Sequence, residues 1–405
     1  MKICIVNEFF KPYVTGGVEI FLDNLIQFLL SKGFDVKVLT CRMKGTKTYE
    51  KIDKLEIFRV NLSPLRFHHF QQLPGLTFPF NVLSNFELKI YDIIKGADIV
   101  YINNLYHLSF APMQAAKKLG KKIFLDVHDY WPICFKKDLM HPDNKLCFSN
   151  DPFTCYSCMS LTNPIFIFSG FLLFLEFYYR NKIIKTEDVI VHSKFVHDKI
   201  FEYSGMQSKI IPYPYVGNKL KKQKKLMGKL KILFLGRLQP QKGAHLLPEI
   251  CMKLKKEEID YEINILGDGP LFPYLKRYAE KENLNMNFFG FVKSRPKIYS
   301  ELRKSNLLLL PSIWPEPFGM VILEAMAFGI PVIGSNRGGL KNTIENNKVG
   351  FAIDPEVEKI VEKIKLLKEN PSLYKKFSLN GIKNIKKYAP KKIFKKYLKM
   401  FEKYS

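Results

Sequence analysis

The chain has 405 residues, of which 47% are hydrophobic and 25% are charged. This length exceeds a single ordinary hydrophobic core and predicts two domains of about 200 residues each, while the composition excludes disordered and fibrous proteins. The formal net charge of +26 lies mostly in the second half, because residues 1–215 hold 26 Lys and Arg against 20 Asp and Glu, and the remainder holds 38 against 18.

The first half of the chain alternates between predicted strands and helices. The strands are 3–6, 36–40, 57–60, 99–102, 123–127 and 189–192, and the helices are 18–31, 110–119 and one that begins after Ser193. Short apolar strands that alternate with amphipathic helices predict a parallel sheet with helices on both of its faces.

A second alternating series follows a basic linker. Its strands are 232–235, 262–266, 287–291, 307–310 and 332–333, and its helices are 246–255, 271–281, 296–304, 320–328, 371–388 and 391–404. The sequence therefore predicts an α/β fold with two tandem doubly wound Rossmann-like domains, 1–215 and 216–387. We expect their strand ends to face each other across a cleft, and the C-terminal helix, about 388–405, to pack back on the first domain.

Two lysine-rich runs, residues 219–231 and 383–403, carry most of the basic excess. The second run holds nine lysines and a single glutamate, Glu402. Such clusters suit anionic lipid headgroups, nucleic acid or substrate phosphates, and a solvated helix face accounts for them equally well.

Signals for export or membrane crossing are weak in this sequence. Residues 1–7 form a short apolar strand followed by a polar loop, without the extended apolar region of a signal peptide. The longest apolar stretch, 164–179, is shorter than the roughly 20 residues of a membrane span and contains Glu176. We therefore expect a cytoplasmic protein that associates peripherally with the inner face of the cell membrane.

Four of the seven cysteines, Cys134, Cys147, Cys155 and Cys158, lie in one segment that ends in a Cys-x-x-Cys pair. Without a signal peptide, a disulfide framework is not expected. The spacing predicts four thiolate ligands for a structural zinc ion, although its first two gaps are longer than those of compact zinc modules. The alternative is that these side chains are small buried hydrophobic groups.

Glu316 and Glu324 lie on either side of Gly319, which opens a predicted helix. The apolar run 307–310 predicts a buried strand that ends at Pro311. Glu316 is therefore expected on the strand-to-helix loop and Glu324 on the helix. The helix N-terminus offers free backbone N–H groups and a positive dipole end, which favour a diphosphate. The two carboxylates could accept hydrogen bonds from sugar hydroxyl groups on opposite sides of that anion.

Cationic side chains follow the predicted strand 232–235. Arg237 and Lys242 lie in the loop that begins at Gly236, where they would face the helix that opens at Gly319. Two cations and a helix N-terminus could neutralise a departing diphosphate without a metal ion. In agreement, the sequence contains no Asp-x-Asp pair of the kind that carries Mg²⁺ or Mn²⁺ to a nucleotide sugar.

Five segments occur in the order found in the retaining glycosyltransferases of family four, and the chain resembles that family over most of its length. The segments are Gly16-Gly17-Val18-Glu19, His128-Asp129-Tyr130-Trp131, Gly236-Arg237 with Lys242-Gly243, Gly267-Asp268-Gly269-Pro270, and the stretch from Glu316 to Glu324. The resemblance implies the glycosyltransferase-B fold. It also implies transfer of a sugar from a UDP- or GDP-sugar, with retention at the anomeric carbon and without a catalytic metal or cofactor.

The resemblance assigns roles to residues of both domains. Glu324 would accept the ribose hydroxyls, and Glu316 with the backbone of Phe318 and Gly319 would hold the donor sugar. The cations of the Gly236 loop would hold the diphosphate. The remaining assignments are the Gly16 and Gly17 backbone on the diphosphate, His128 on the sugar near the reacting carbon, and the backbone of Phe291 and Val292 at the edge of the base.

The acceptor is expected on the N-terminal domain, near residues 65–86 and 164–179, where aromatic side chains interleave with His and Arg. Such surfaces suit a membrane interface, so we expect a lipid-linked or polysaccharide acceptor and reversible contact with anionic membranes. Two alternatives are a nucleotide-sugar epimerase of the same fold and a basic nucleic-acid-binding protein. The second is disfavoured because the sequence contains no recognised nucleic-acid-binding module, so we expect no nucleic-acid partner.

Overall fold

Two sheets of mainly parallel strands organise the chain in the computed structural model. The structure describes residues 1–14, 16–61, 86–105, 108, 110–143, 145–147, 149, 151–162, 170–186, 188–220, 226 and 228–404. These residues form two compact units, Met1–Pro212 together with Ile393–Ser405, and Tyr213–Lys392.

The first unit holds an eight-stranded sheet. Its strands are β1 (Lys2–Val6), β2 (Asp35–Cys41), β3 (Tyr49–Ile52), β4 (Leu55–Val60), β5 (Ile99–Ile102), β6 (Lys122–Val127), β7 (Asp188–Val191) and β8 (Ser208–Ile210). Its helices are α1 (Gly17–Ser31), α2 (Phe86–Lys95), α3 (Ala111–Lys118), α4 (Pro152–Thr162), α5 (Gly170–Ile183) and α6 (Lys194–Ser204). The strand order is β3-β4-β2-β1-β5-β6-β7-β8, and β3 runs antiparallel to β4 while the other pairs are parallel.

The second unit holds a six-stranded parallel sheet. Its strands are β9 (Leu230–Leu235), β10 (Tyr261–Leu266), β11 (Met286–Gly290), β12 (Leu307–Leu310), β13 (Val332–Ser335) and β14 (Gly350–Ile353). Its helices are α7 (Leu247–Lys256), α8 (Phe272–Lys281), α9 (Arg295–Lys304), α10 (Met320–Ala327), α11 (Gly339–Asn347), α12 (Val357–Glu369) and α13 (Pro371–Asn384). The strand order is β11-β10-β9-β12-β13-β14.

The order of strands reverses beside β9. Strands β10 and β11 lie on one side of β9, and β12 to β14 lie on the other. The helices that follow β9 and β12 therefore lie on opposite faces of the sheet, and the crevice at the carboxyl ends of these two strands is where doubly wound sheets bind ligands. The central strands are buried on both faces, as expected for a parallel sheet, and β12 consists of four buried leucines.

The C-terminal helix α14 (Pro390–Phe401) contributes most of its apolar face to the first unit. Its Phe394 ring lies 6.2 Å from that of Phe21 on α1, and Phe401 contacts Phe124 of β6 at 5.1 Å. The hydroxyl of Tyr397 donates to Asp126 at 3.0 Å. The period of the buried residues along α14 leaves its lysines on the opposite, solvent-exposed face.

The predicted strands and helices were all found, with ends that moved by at most four residues. The predicted elements missed β3, β8, β14, α2, α4, α11 and α12, whereas α5 overlaps the apolar stretch 164–179, which the sequence predicts as a buried or interfacial helix and not a membrane span. Strand β3 was missed because it is an exposed edge strand whose pairing to β4 depends on the neighbouring sheet. Of the two segments expected near the acceptor, residues 65–85 and 164–169 lie outside the described residues, and 170–179 belong to α5. Among the described helices, none is long and apolar enough to span a bilayer.

Candidate functional site

The loops after β9 and β12 interlock at the crevice of the second sheet. Gln241 accepts hydrogen bonds from the backbone N–H groups of Ile313 and Trp314, at 3.0 and 3.3 Å. Gly243, at φ 69°, lies so close to the strand end that a Cβ there would overlap the Pro311 carbonyl oxygen. This packing holds the two loops in a fixed register at the carboxyl edge of the sheet.

An ion pair joins the two loops. Lys242 Nζ lies 2.9 Å from Glu316 Oε1, with the two side chains 19% and 12% exposed. Ser312 donates to the same oxygen at 2.5 Å. The Lys242 ammonium also lies 4.9 Å from the centroid of the Trp314 ring, at cation–π distance. The sequence placed Lys242 and Glu316 in one site, and the structure brings them into direct contact.

The surroundings of Glu316 favour its ionised form. Burial alone would raise the pKa of this carboxyl, but the charge of Lys242 and the hydrogen bonds from Ser312 and Lys242 outweigh it, so the pKa is lowered from 4.5. A carboxylate with a depressed pKa is a strong hydrogen-bond acceptor and a poor proton donor. Glu316 is therefore suited to hold hydroxyl groups and unsuited to protonate a leaving group.

Helix α11 supports the backbone that follows Glu316. The Gly339 N–H donates to the Glu316 carbonyl at 2.6 Å, and the Thr343 hydroxyl donates to the Phe318 carbonyl at 3.0 Å. Gly338, at φ 67°, packs on the same backbone, and a Cβ there would lie 2.5 Å from the Glu316 carbonyl oxygen. The α10 N-terminus, capped by Gly319, is thus held rigidly and leaves its first N–H groups available to an anion.

A second ion pair lies one turn into α10. Arg295, at the start of α9, places Nη1 2.7 Å from Glu324 Oε1. Burial raises the pKa of Glu324 above 4.5, although Arg295 opposes the shift. The sequence prediction included Glu324 but missed Arg295, since this arginine lies in a different strand-to-helix connection. The sequence feature that could have identified Arg295 is a cation that follows β11, a strand of the same sheet, at the carboxyl edge of that sheet.

The other residues predicted for the donor lie at the same edge of the second sheet. Gly236 and Arg237 directly follow β9, and the Arg237 side chain is exposed. Phe291 and Val292 directly follow β11, with the Phe291 side chain 65% exposed. The Phe318 side chain is buried and contacts the ring of Tyr213 at 5.3 Å, so only its backbone is offered to the crevice.

In the first unit, Gly16 and Gly17 lie at the N-terminus of α1. The Gly16 N–H donates to Glu19 Oε2 at 2.7 Å, in the manner of a capping box. An anion at this helix end would therefore compete with Glu19 for the Gly16 N–H, and the following N–H groups of α1 are the less contested donors.

His128, after β6, belongs to a buried hydrogen-bond network of the first unit. Its Nε2 lies 2.8 Å from Asn103 Oδ1, and its Nδ1 lies 2.9 Å from Nε2 of His192. The side chain is 7% exposed. Burial lowers the pKa of His128 to about 3, with the charge of His192 adding to this effect and that of Asp126 opposing it. His128 is thus a neutral imidazole held by two partners.

The hydrogen-bond partners assign the protons of this network. Asn103 Nδ2 donates to the Val6 carbonyl, so Asn103 Oδ1 accepts from His128 Nε2 and leaves His128 Nδ1 as an acceptor. His192 Nδ1 lies 2.8 Å from the Ile211 carbonyl and must donate to it. His192 Nε2 lies 2.9 Å from His128 Nδ1 and 3.0 Å from Asp126 Oδ1. The Asp126 carboxylate is therefore held close to both histidines in the core.

Ligand atoms of Asp126, His128 and His192 lie within 4.8 Å of one another, as in a metal site. The hydrogen bonds just described already use these atoms, and the hydroxyls of Tyr101 and Tyr397 donate to Asp126 as well. Charges on the two histidines and these hydrogen bonds outweigh burial and lower the pKa of Asp126. These hydrogen bonds make the three residues part of a polar network of the core.

Two family models match the chain in succession. The model described as Glycosyltransferase Family 4 matches residues 15–212, and the model described as Glycosyl transferases group 1 matches residues 217–384. The second match contains both ion pairs of the crevice. The chain belongs to the group 1, family 4 glycosyltransferases. As the sequence predicted, this protein is therefore a transferase enzyme.

Curated relatives extend over most of the glycosyltransferase. The 2-deoxystreptamine N-acetyl-D-glucosaminyltransferase of Niallia circulans is 24% identical over 95% of this chain and 97% of its own. The GPI3 subunit of the phosphatidylinositol N-acetylglucosaminyltransferase of Saccharomyces cerevisiae is 24% identical over 89% of this chain and 74% of its own.

Solved structures show the fold of the glycosyltransferase. Sucrose-phosphate synthase from Thermosynechococcus elongatus aligns with a TM-score of 0.72 at 17% identity, over 99% of this chain and 98% of that one. Anabaena HepE in complex with UDP-glucose aligns with a TM-score of 0.69 at 18% identity, over all of both chains. The predicted glycosyltransferase-B fold is thereby confirmed.

Proposed function

We propose that this glycosyltransferase moves a sugar from a nucleotide diphosphate sugar to a lipid-linked or polysaccharide acceptor, with retention and without a catalytic metal. The observation that carries the proposal is the paired arrangement at the β9–β12 crevice, where Lys242 meets Glu316 and Arg295 meets Glu324 around the N-terminus of α10. The UDP-glucose complex of Anabaena HepE, which has the same fold, makes a UDP-sugar the first donor to test.

Each group at the crevice has a separate task in this proposal. The α10 N–H groups, Arg237 and Lys242 stabilise the negative charge that develops on the departing diphosphate. Glu316, which its lowered pKa keeps ionised, accepts hydrogen bonds from hydroxyl groups of the sugar. Glu324 accepts hydrogen bonds from the hydroxyl groups of the ribose. Because Arg237 and Lys242 are fixed cations and the sequence contains no Asp-x-Asp pair, this charge is neutralised without a divalent ion.

Retention is proposed to follow from attack on the face that the diphosphate leaves. The acceptor oxygen bonds to the anomeric carbon as the bond from that carbon to the diphosphate oxygen breaks, and the acceptor proton passes to the departing diphosphate. Glu316 is a poor candidate for a covalent nucleophile, because Lys242 and Ser312 already hold its Oε1 at 2.9 and 2.5 Å. Trapping of a sugar on Glu316 would contradict front-face attack.

The first unit carries the features that favour an acceptor at a membrane surface. Helix α14 exposes lysines on one face: Lys391, Lys392, Lys395, Lys396 and Lys399. Large apolar side chains are also exposed on α4 and α5: Phe153, Leu161 and Tyr178. Cationic and apolar groups together bind anionic bilayers more strongly than either alone. We therefore propose reversible binding of anionic membranes at the cytoplasmic face.

The deciding experiment treats the purified chain with a chelator and titrates it with UDP-, GDP- and ADP-sugars by calorimetry. One nucleotide class is expected to bind with the chelator present, and Glu324→Gln to bind it more weakly. Incubation of that donor with membrane lipid extract, followed by NMR of the product, then assigns the anomer. Absence of binding to every donor unless Mg²⁺ or Mn²⁺ is added would refute metal independence, and an inverted product would refute retention.

A further inference from the structure

The loop after β6 and helix α4 bring four cysteines of the first unit together. Cys134 lies in the loop, Cys147 returns beside it, and Cys155 and Cys158 lie one turn apart on α4. The return is made by an antiparallel bridge between Met140 and Leu146 and by the Cys147 N–H, which donates to the Leu139 carbonyl at 2.8 Å. All four thiols are free of disulfides and close enough to interact electrostatically.

The backbone around Cys134 is folded onto its sulfur. The N–H groups of Lys136, Asp138 and Leu139 all donate to Cys134 Sγ. Two residues of this short loop, Lys137 and Leu139, adopt left-handed backbone at φ 63° and 52°, which costs free energy for a residue with a side chain. Backbone N–H groups that donate to a cysteine sulfur are the usual surroundings of a metal-bound cysteine.

Cationic side chains surround the cluster. The charge of Arg180 on α5 acts on Cys155, and the charge of Lys136 acts on Cys158. The Arg180 side chain is 2% exposed and its guanidinium lies 4.2 Å from the Phe135 ring centroid. Neutral thiols do not need such neighbours. Four thiolates around a divalent ion carry a net charge of −2, which buried and half-buried cations would stabilise.

We propose that Cys134, Cys147, Cys155 and Cys158 bind one structural zinc ion as four thiolate ligands. Among the described residues, these four sulfurs do not form a compact group of metal ligands. Coordination at about 2.3 Å therefore requires the loop and α4 to close on each other. The ion would tie α4 to the segment that begins at His128, since the Cys134 N–H already donates to the Tyr130 carbonyl at 2.8 Å.

The described apolar cluster beside these cysteines contains Phe135 and Met159, with Cys155, Tyr156 and Phe177 partly buried around them. A zinc ion would add to the contact that this cluster makes between the loop and α4. The ion would be structural, because four protein ligands leave no open position for water or substrate.

The test measures metals in the full chain, purified without metal-affinity chromatography, by elemental mass spectrometry. One zinc per chain is expected. Cys155→Ser and Cys158→Ser should lose it, and Cys251→Ala, which removes a buried cysteine from α7 in the other unit, should keep it. Cobalt added to chelated protein should give the intense sulfur-to-cobalt absorption of a tetrahedral thiolate site.

If the serine variants fail to fold, removal of metal from the wild-type protein with a chelator still tests the proposal. Chelation should lower Tm and expose the 134–158 segment to protease, and added Zn²⁺, but not Mg²⁺, should reverse both changes. The proposal is overturned if the wild type contains no zinc and takes up no cobalt, if iron occupies the site instead, or if intact-mass analysis finds these cysteines joined as disulfides. None of these outcomes bears on donor binding in the second unit.

Discussion

Lys242 Nζ lies 2.9 Å from Glu316 Oε1, so the cation predicted for the diphosphate and the carboxylate predicted for the sugar form one ion pair. The two residues come from loops 74 positions apart in the chain, after β9 and β12. In this arrangement a donor molecule would meet preformed charges, because neither side chain has to be ordered when the substrate arrives.

Replacement of Lys242 by Met should reduce kcat/KM for the donor by about 10²- to 10³-fold, because a preorganised cation for the departing diphosphate is lost. Steady-state kinetics with saturating acceptor measures the effect. Lys253→Met, which removes a lysine of the same unit that pairs with Glu358, is the matched control and should keep its activity. Equal rates in the two variants would remove Lys242 from the site.

Binding of free UDP should weaken as the pH falls through the pKa of Glu324. Burial raises this pKa above 4.5, so the carboxylate proposed to accept hydrogen bonds from the ribose is protonated at a higher pH than an ordinary glutamate. Arg295→Met removes the opposing cation, so UDP binding should begin to weaken at a still higher pH. Calorimetric Kd values across pH test this, and Lys297→Met on the same helix is the control that should leave the pH dependence of binding unchanged.

Gly338→Ala should abolish donor binding through the backbone. Its positive φ of 67° strains any side chain, and the new Cβ would push on the Glu316 backbone. Gly290→Ala provides a matched control, since Gly290 has φ 65° with no atom within 4 Å of a Cβ. Gly290→Ala should lose about 1 kcal/mol of stability from the strain, and Gly338→Ala should lose more because its Cβ also meets the Glu316 backbone, as measured by urea unfolding. Retained donor affinity in Gly338→Ala would show that the Glu316 loop tolerates displacement.

Asp126→Asn should destabilise the first unit by about 3 kcal/mol, because it replaces a buried carboxylate that lies 3.0 Å from His192 and accepts hydrogen bonds from Tyr101 and Tyr397. Tyr397→Phe removes one hydrogen bond to the same carboxylate and should cost about 1 kcal/mol. Urea unfolding of the two variants measures the difference. A similar small loss in both would mean that the charge of Asp126 contributes little to the stability of this network.

Charge reversal on α14 should release the protein from anionic vesicles. The variant replaces Lys391, Lys392, Lys395 and Lys396 by Glu, and co-sedimentation at low salt measures binding. A control variant with the same net charge reverses exposed lysines of the second unit: Lys255, Lys256, Lys276 and Lys281. The α14 variant should lose most binding while the control keeps it. Parallel losses would mean that net charge alone, and not the α14 face, drives association.

Hydrophobic periodicity and loop chemistry in the sequence determined the two α/β domains, the strand before Glu316 and the helix after Gly319, because burial of leucine-rich strands and capping of a helix are local events. The same local patterns marked Lys242, Glu316 and Glu324 as one site. Their placement depended only on the rule that parallel strands present their carboxyl ends at one edge.

Tertiary structure alone decided which charges pair and which side chains form the buried histidine network. Arg295 reaches Glu324, and His192 reaches His128, across strands whose order in the sheet the sequence does not state. The edge strand β3 and the extra helices of the second unit likewise depend on neighbours far away in the chain. The two residues of each ion pair or buried hydrogen bond are far apart in the chain, so they meet only once the sheets have assembled.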